Sequence, residues 1–305
     1  MPSNGYPLGA RASIEDDEDG SKPATRTATT VGPAGVANSP GMTTLAGRTA
    51  LVTGVSRRVG IAFTVARRLA SDGAQVVATG WSPHDAEQPW GADELTADEL
   101  AEALRRDLPG AAGTIHYRQD DLSRPDTPAR LVDAAAERLG GLDILVAAHA
   151  RSSGVPLAGS TAEELDLCWA VNVRATLLLI RRFAEVRGAA RYGGRVVLFT
   201  SGQHHGAMPG ELPYVVTKGA LQQVTATLAN ELAPSGITVN CIDPGPVDTG
   251  YADEASRAAV ARRMPFGRWG RPEDIAELIA WLVGDAGGWI TGQTLVSDGG
   301  WSARG

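Results

Sequence analysis

The sequence predicts an α/β fold, a single domain on one doubly wound, seven-stranded parallel sheet, from three observations. From Leu45 onward, short apolar runs alternate with longer amphipathic stretches, the rhythm of parallel strands covered by helices on both faces. The apolar runs number seven, at 50–53, 75–79, 114–117, 144–148, 195–199, 237–242 and 294–296, and one α/β domain of about 250 residues is of ordinary size. The first run leads straight into a glycine-bounded turn and then a helix.

Helical patterning fills the intervals at 61–71, 96–107, 128–139, 161–187, 212–233, 252–263 and 272–283. Thr96-Ala-Asp-Glu99 and Thr161-Ala-Glu-Glu164 are capping-box patterns, in which hydroxyl and carboxylate satisfy backbone N–H groups at a helix start. Pro272 suits a first turn, with Glu273 and Asp274 at the positive end of the dipole.

Residues 1–44 are rich in Ser, Thr, Gly, Pro and Ala and carry the acidic run Glu15-Asp16-Asp17-Glu18-Asp19. Such a segment buries too little apolar surface to offset its ordering entropy, so a disordered tail is expected there and the folded domain at 45–305. The run reads as solvation of the tail, with a docking role as the alternative. Met42, directly before the folded segment, is a candidate start; a native protein whose intact mass begins at residue 1 or 2 removes that idea.

Lys and Arg total 28 against 35 Asp and Glu, a formal charge of -7, so neither nucleic acid nor anionic membrane is an expected partner. No stretch approaches the roughly 18 apolar residues of a membrane span, and no secretory signal is visible. The expected location is cytoplasmic. Cys168 and Cys241 sit in apolar segments and are expected to be reduced core residues. The one close histidine pair, His204-His205, cannot imitate an i,i+4 helical metal pair, so no metal is expected.

The first strand is followed by Gly54-Val-Ser-Arg-Arg-Val-Gly60 and a helix. Free N–H groups and the helix dipole converge at such a turn and form an anion site, which makes Gly54, Ser56, Gly60 and Ile61 candidates to hold a dinucleotide phosphate. The second strand ends in Ala78-Thr79-Gly80-Trp81, with no acid to hold a ribose 2'-OH. Trp81 stands in that place, and Arg57 or Arg58 can pair with a 2'-phosphate. NADP(H) is therefore favoured over NAD(H), the alternative being that both arginines project into solvent.

Tyr214-Val-Val-Thr-Lys218 opens a long helical stretch and puts phenol and ammonium on one face. A nearby cation draws a phenol pKa down from about 10, which suits a proton donor to a developing alkoxide. Thr200-Ser201 ends the run 195–199 at the sheet edge where doubly wound folds bind ligands, and a hydroxyl there can polarise a carbonyl. Asn172 is polar in an otherwise apolar helical window, with local backbone bonding as its alternative role.

With these motifs in one register, the chain from about Leu45 to its end resembles the short-chain dehydrogenase/reductase family of Rossmann-type enzymes, in its Tyr-x-x-x-Lys, 3-oxoacyl-[acyl-carrier-protein] reductase-like branch. The resemblance implies Tyr214 as acid/base, Ser201 orienting the carbonyl, Lys218 on the nicotinamide ribose and Asn172 in a water relay behind Lys218. It implies adenine contacts from Asp121-Leu122, nicotinamide contacts from Asp243-Pro-Gly-Pro-Val-Asp-Thr249 (Pro244, Gly245, Val247 and Thr249), and cofactor neighbours at Ala148 and Ala150. His149, Gln203, His204 and His205 are candidate substrate contacts. The tail 290–300, with its Asp-Gly-Gly ending, resembles the strand that packs in homotetramers, so a homotetramer or homodimer is implied.

The chain departs from the family in two places. Ala147-Ala148-His149-Ala150 stands where relatives have Asn-Asn-Ala-Gly, removing amides that brace the sheet and placing a methyl beside the cofactor. Arg58 replaces the middle glycine of the phosphate turn, so Gly54-x5-Gly60-x-Ala62 is also similar to the divergent enoyl-reductase branch, against which the Tyr-x3-Lys spacing argues. The implied activity is hydride transfer between nicotinamide and a carbonyl or secondary alcohol, on a small molecule that is first a 3-oxoacyl thioester. That choice rests on the similarity of 206–214 and onward to acyl-carrier-protein reductases. A secondary-metabolite ketone or sugar-like polyol stays open as substrate, and a non-catalytic cofactor-binding regulator stays open as function.

Overall fold

Strands buried on both faces read as continuous apolar runs, and the seven runs form the strands of one sheet. These are β1 (Thr49–Thr53), β2 (Gln75–Gly80), β3 (Ile115–Gln119), β4 (Ile144–Ala147), β5 (Gly194–Phe199), β6 (Ile237–Asp243) and β7 (Thr294–Val296). The computed structural model describes residues 45–109, 113–187 and 193–303. The expected tail and the candidate start at Met42 lie outside the described residues.

All neighbouring strands pair in parallel, in the order β3-β2-β1-β4-β5-β6-β7. The chain moves outward from β1 to β3 and then returns to place β4 on the other side of β1. That reversal opens a crevice beyond the carboxyl ends of β1 and β4, where doubly wound folds bind ligands.

Helices cover both faces. On one, α1 (Ile61–Ser71) and α9 (Pro272–Val283) bury Leu69, Ile275 and Ile279 with Val52, Val76 and Val146 of the sheet. On the other, α4 (Thr127–Leu139) and α6 (Ala175–Arg187) bury Leu131, Leu179 and Phe183 with Leu51, Leu145 and Leu198. The alternation Leu51/Val52 and Leu145/Val146 between two cores is the two-residue period of a strand, with both phases apolar. Among the described residues, no helix is long and apolar enough to cross a membrane.

Two expected helices differ in an informative way. The stretch 161–187 is not one regular helix: α5 (Ala162–Trp169) runs into a π-helical turn, Ala170–Arg174, before α6. Helix α3 (Ala97–Arg105) has its full capping box, whereas at α5 Thr161 accepts from the Glu164 N–H and the Glu164 carboxylate pairs with Arg151 instead. A short helix α2 (Ser82–Ala86) follows β2, outside the expected helices.

Candidate active site

The turn after β1 is held in place by contacts only glycine permits. Gly54 has φ +89°, and a Cβ on it would lie 2.7 Å from the Ala148 carbonyl. A Cβ on Gly80 would lie 2.0 Å from the Val55 carbonyl oxygen. β1, β2 and β4 thus close on one another around the start of α1, whose N-cap Gly60 offers no side-chain cap. First-turn N–H groups there remain available to an anion.

This turn borders a cavity of about 580 Å³. Gly54, Ser56, Arg57, Gly60 and Ile61 line it from the phosphate turn, with Asp121 and Leu122 after β3 and Ala148, His149 and Ala150 after β4. Trp81 and Thr249 complete the expected set on its wall. Arg58, Pro244, Gly245, Val247, Gln203, His204, His205, Tyr214 and Lys218 are not part of that lining. Val247 is buried and bridges to Gly270 through its backbone.

Neither arginine of the turn simply projects into solvent. Arg57 Nε lies 3.1 Å from Asp85 Oδ1 and Arg57 Nη1 donates to the Thr249 carbonyl at 2.9 Å. Arg58 donates to Asp93 Oδ2 through its backbone N–H and its Nε, at 2.7 and 3.2 Å. Asp85 belongs to α2, which also puts His84 on the cavity wall. His84 Nε2 accepts from the Ser152 N–H at 3.1 Å, and burial followed by Arg151 holds its pKa below the ordinary value. Sequence reasoning missed α2 and these two residues, although Ser82-Pro83 is a helix-start signal.

A second group lies where β5, α7 (Leu212–Leu232) and the π turn meet. Tyr214 lies in the first turn of α7, and Ser201 follows the end of β5. Lys218 Nζ donates to the Phe199 carbonyl at 3.1 Å and lies 5.5 Å from the Tyr214 ring centre. Asn172 is fully buried in the π turn. Its Oδ1 accepts from the Arg151 N–H at 2.6 Å, and its Nδ2 donates to the Arg151 carbonyl and to Thr217 Oγ1 at 3.1 and 2.9 Å. The four residues thus come from β5, α7 and the π turn, and Asn172 ties the loop after β4 to α7.

The phenol does not titrate as the sequence suggested. Burial pushes the Tyr214 pKa up, the Ser201 side chain works against that, and Glu211, Tyr251 and Asp243 add to it. Burial also draws the Lys218 pKa down to about 8, and its ammonium donates to the Phe199 carbonyl. Desolvation is the largest cause for both groups.

His149 is held by the fold through both of its ring nitrogens. Its Nδ1 lies 2.7 Å from Thr53 Oγ1 and its Nε2 3.0 Å from the Val171 carbonyl, so the hydroxyl donates to Nδ1 and Nε2–H donates to the carbonyl. Both ring nitrogens are occupied in a buried site, and the ring joins β1 to the π turn. It supplies the bracing that the absent asparagine amides were expected to cost. Burial, with Lys218 as a second cause, holds its pKa down at about 4. The folded state therefore keeps this ring neutral, a contribution fully present above 6.5 and lost as pH falls toward about 4. Replacing His149 with Ala is expected to lower stability by about 2–4 kcal/mol and to remove that part of the acid sensitivity. Denaturant melts across this pH range check both effects.

Gln203 also turns inward, donating from Nε2 to Thr200 Oγ1 at 2.8 Å and Gln222 Oε1 at 3.2 Å. His204 and His205 instead approach Asp243 at the end of β6. Cys168 and Cys241 are buried and free, and burial pushes their thiols up to about 12 and about 11.

A parallel doubly wound sheet, a phosphate turn at its crevice and a Ser-Tyr-Lys group beside it define a class, the nicotinamide-dependent oxidoreductases. A family model described as "Enoyl-(Acyl carrier protein) reductase" matches residues 54–302. The chain is 36% identical over 255 residues to "Uncharacterized oxidoreductase YjdA" of Bacillus subtilis, covering 82% of this chain and 95% of that protein. It is 34% identical over 281 residues to human "Dehydrogenase/reductase SDR family member 4", covering 87% and 92%. A solved short-chain dehydrogenase from Burkholderia cenocepacia in complex with NADP superposes with a TM-score of 0.73 at 34% identity, covering 85% of this chain and 99% of that one. The chain belongs to the short-chain dehydrogenase/reductase family and is an NAD(P)-dependent oxidoreductase.

Proposed function

We propose that this enzyme interconverts a small-molecule carbonyl and its secondary alcohol, with Tyr214 as the proton donor and acceptor. The observation that carries the reading is the Tyr214 ring 5.5 Å from the ammonium of a buried Lys218, one helical turn along α7. When bound, the nicotinamide supplies or takes the hydride. Ser201 orients the carbonyl oxygen against the phenol, and Tyr214 Oη passes its proton to that oxygen as charge develops on it. Lys218 holds the nicotinamide ribose, while Asn172 fixes the segment behind Lys218 and supports its water relay. The Gly54 and Gly80 contacts, together with the uncapped start of α1, fit a dinucleotide that approaches the backbone closely.

NADP(H) is the proposed preference. No acid ends β2 to repel a 2'-phosphate, and Arg57 borders the cavity. The Burkholderia relative was solved with NADP. Because Asp85 occupies Arg57, removing its charge with Asp85→Asn is expected to shift the affinity ratio toward NADPH over NADH by about tenfold. Fluorescence titrations of both cofactors check this, and a ratio that stays put or moves toward NADH counts against the arginine's role.

The proposed substrate is a 3-oxoacyl thioester, supported by the resemblance of 206–214 to acyl-carrier-protein reductases. Loss of reduced-nicotinamide absorbance with an acetoacetyl thioester, other ketones and sugar-like polyols, using NADPH and NADH in parallel, tests substrate and cofactor separately. Turnover of another ketone alone discards the thioester, and silence across the panel in both directions discards the activity. The partly exposed Leu165, Leu167 and Trp169 of α5 support the proposed homotetramer or homodimer.

A further inference from the structure

The carboxyl end of β6 holds a charge that the fold leaves half satisfied. The Asp243 side chain is 1% exposed; its Oδ1 accepts from the Gly245 N–H at 3.0 Å, whereas its Oδ2 has no hydrogen bond among the described residues. A buried carboxylate oxygen in that state is costly, and a cation relieves the cost.

Two imidazoles face this oxygen. His204 Nε2 lies 3.5 Å from Asp243 Oδ2 and His205 Nε2 lies 3.2 Å from it, neither aligned as a hydrogen bond. The tautomer of His204 follows from its other nitrogen. Nδ1 lies 3.1 Å from the Ser201 carbonyl oxygen, which can only accept, so Nδ1 carries the proton and neutral His204 presents a lone pair at Nε2. A lone pair and a carboxylate oxygen repel at this separation unless a cation lies between them. The two ring centres lie 3.8 Å apart with the planes tilted by 43°, so both imidazoles reach the same space.

We propose that His204, His205 and Asp243 bind one divalent transition-metal ion of the zinc class. The three ligand atoms lie within 4.8 Å of one another. An ion held about 2.0–2.2 Å from each ligand with tetrahedral angles would set ligand atoms roughly 3.3–3.6 Å apart, close to the two distances to Oδ2. Two imidazoles and one carboxylate suit Zn²⁺, Co²⁺ or Ni²⁺ rather than Ca²⁺ or Mg²⁺, which take oxygen ligands. The Nδ1–H bond to Ser201 is the outer support that metal-bound histidines ordinarily have. With the two imidazoles 24% and 27% exposed, the ion has a way in, and three protein ligands leave a fourth position for water or a substrate oxygen.

The adjacent histidines carry no metal spacing along the chain. Parallel pairing of β5 with β6, in which Phe199 lies opposite Ile242, brings Asp243 beside the loop that begins at Ser201. The binding does not depend on the hydride-transfer reading.

Untagged full-length protein, stripped with a chelator and dialysed, is titrated with Co²⁺ and followed by its visible spectrum and by calorimetry. The expected result is one ion per chain with the intense absorption of a low-coordinate site, and displacement by Zn²⁺. Asp243→Asn, which keeps an acceptor for the Gly245 N–H, and His205→Gln in the exposed loop are each expected to weaken binding at least tenfold. His116→Gln, on β3, is expected to leave it unchanged. A cobalt spectrum no different from the aquo ion, or unchanged binding in both ligand variants, overturns the proposal; the wild-type spectrum decides even if a variant misfolds.

Discussion

Replacing Tyr214 with Phe is expected to lower turnover by about 10²–10⁴-fold while leaving cofactor binding nearly unchanged. The substitution removes one oxygen from a half-buried ring and leaves the ring's packing beside Lys218 in place. The loss falls on kcat rather than KM, because the proton transfer is made in the transition state. Burial holds the wild-type phenol pKa up in the free protein, so Tyr214 stays protonated through the neutral range and can donate. Stopped-flow turnover and equilibrium cofactor titration on the same preparation separate the two effects. A variant that retains its rate removes Tyr214 from the mechanism.

Lys218→Met is expected to abolish measurable activity and yet make the free protein more stable. Lys218 is 2% exposed and its ammonium has one carbonyl partner in this structure. Burial lowers its pKa from 10.5 to about 8, so below about pH 8 the fold carries a desolvated charge that the unfolded chain keeps in water. Between about 8 and 10.5 the unfolded chain binds more protons than the folded one, and stability from this group rises with pH. The gain on substitution is therefore full below about pH 8 and fades toward 10.5. Allowing for the Phe199 carbonyl left without its donor, we expect about 1–3 kcal/mol. Melting temperature measured against pH for both proteins checks the sign, and a variant destabilised below pH 8 refutes the account. Retention of a costly lysine is the exchange of stability for function that active sites show.

The sheet was legible because its central strands β1, β4 and β5 are largely apolar in both phases and the longer helices between strands keep their own period. β7 was found at its full range, Thr294–Val296, as was α1 at Ile61–Ser71. The site was legible where a motif is local: Tyr214 and Lys218 share a helix, and Gly54 and Gly60 bound one turn. What escaped was set by partners distant in sequence. Asp85 and Asp93, which occupy Arg57 and Arg58, stand in segments without a helical or strand period, and the π turn around Asn172 is hidden inside one continuous helical pattern.

The sequence by itself determined the α/β class and the seven strands, through local period, and it marked the turn 54–60 and Ser201, Tyr214, Lys218 and Asn172 as the candidate site, through short-range spacing and family resemblance. Only the tertiary structure decided what surrounds those groups. It made His149 a brace between β1 and the π turn, put the Tyr214 phenol under the control of burial, and brought Asp243 to His204 and His205. These outcomes depend on desolvation and on contacts between strands far apart in the chain, and neither is written in the spacing of neighbouring residues.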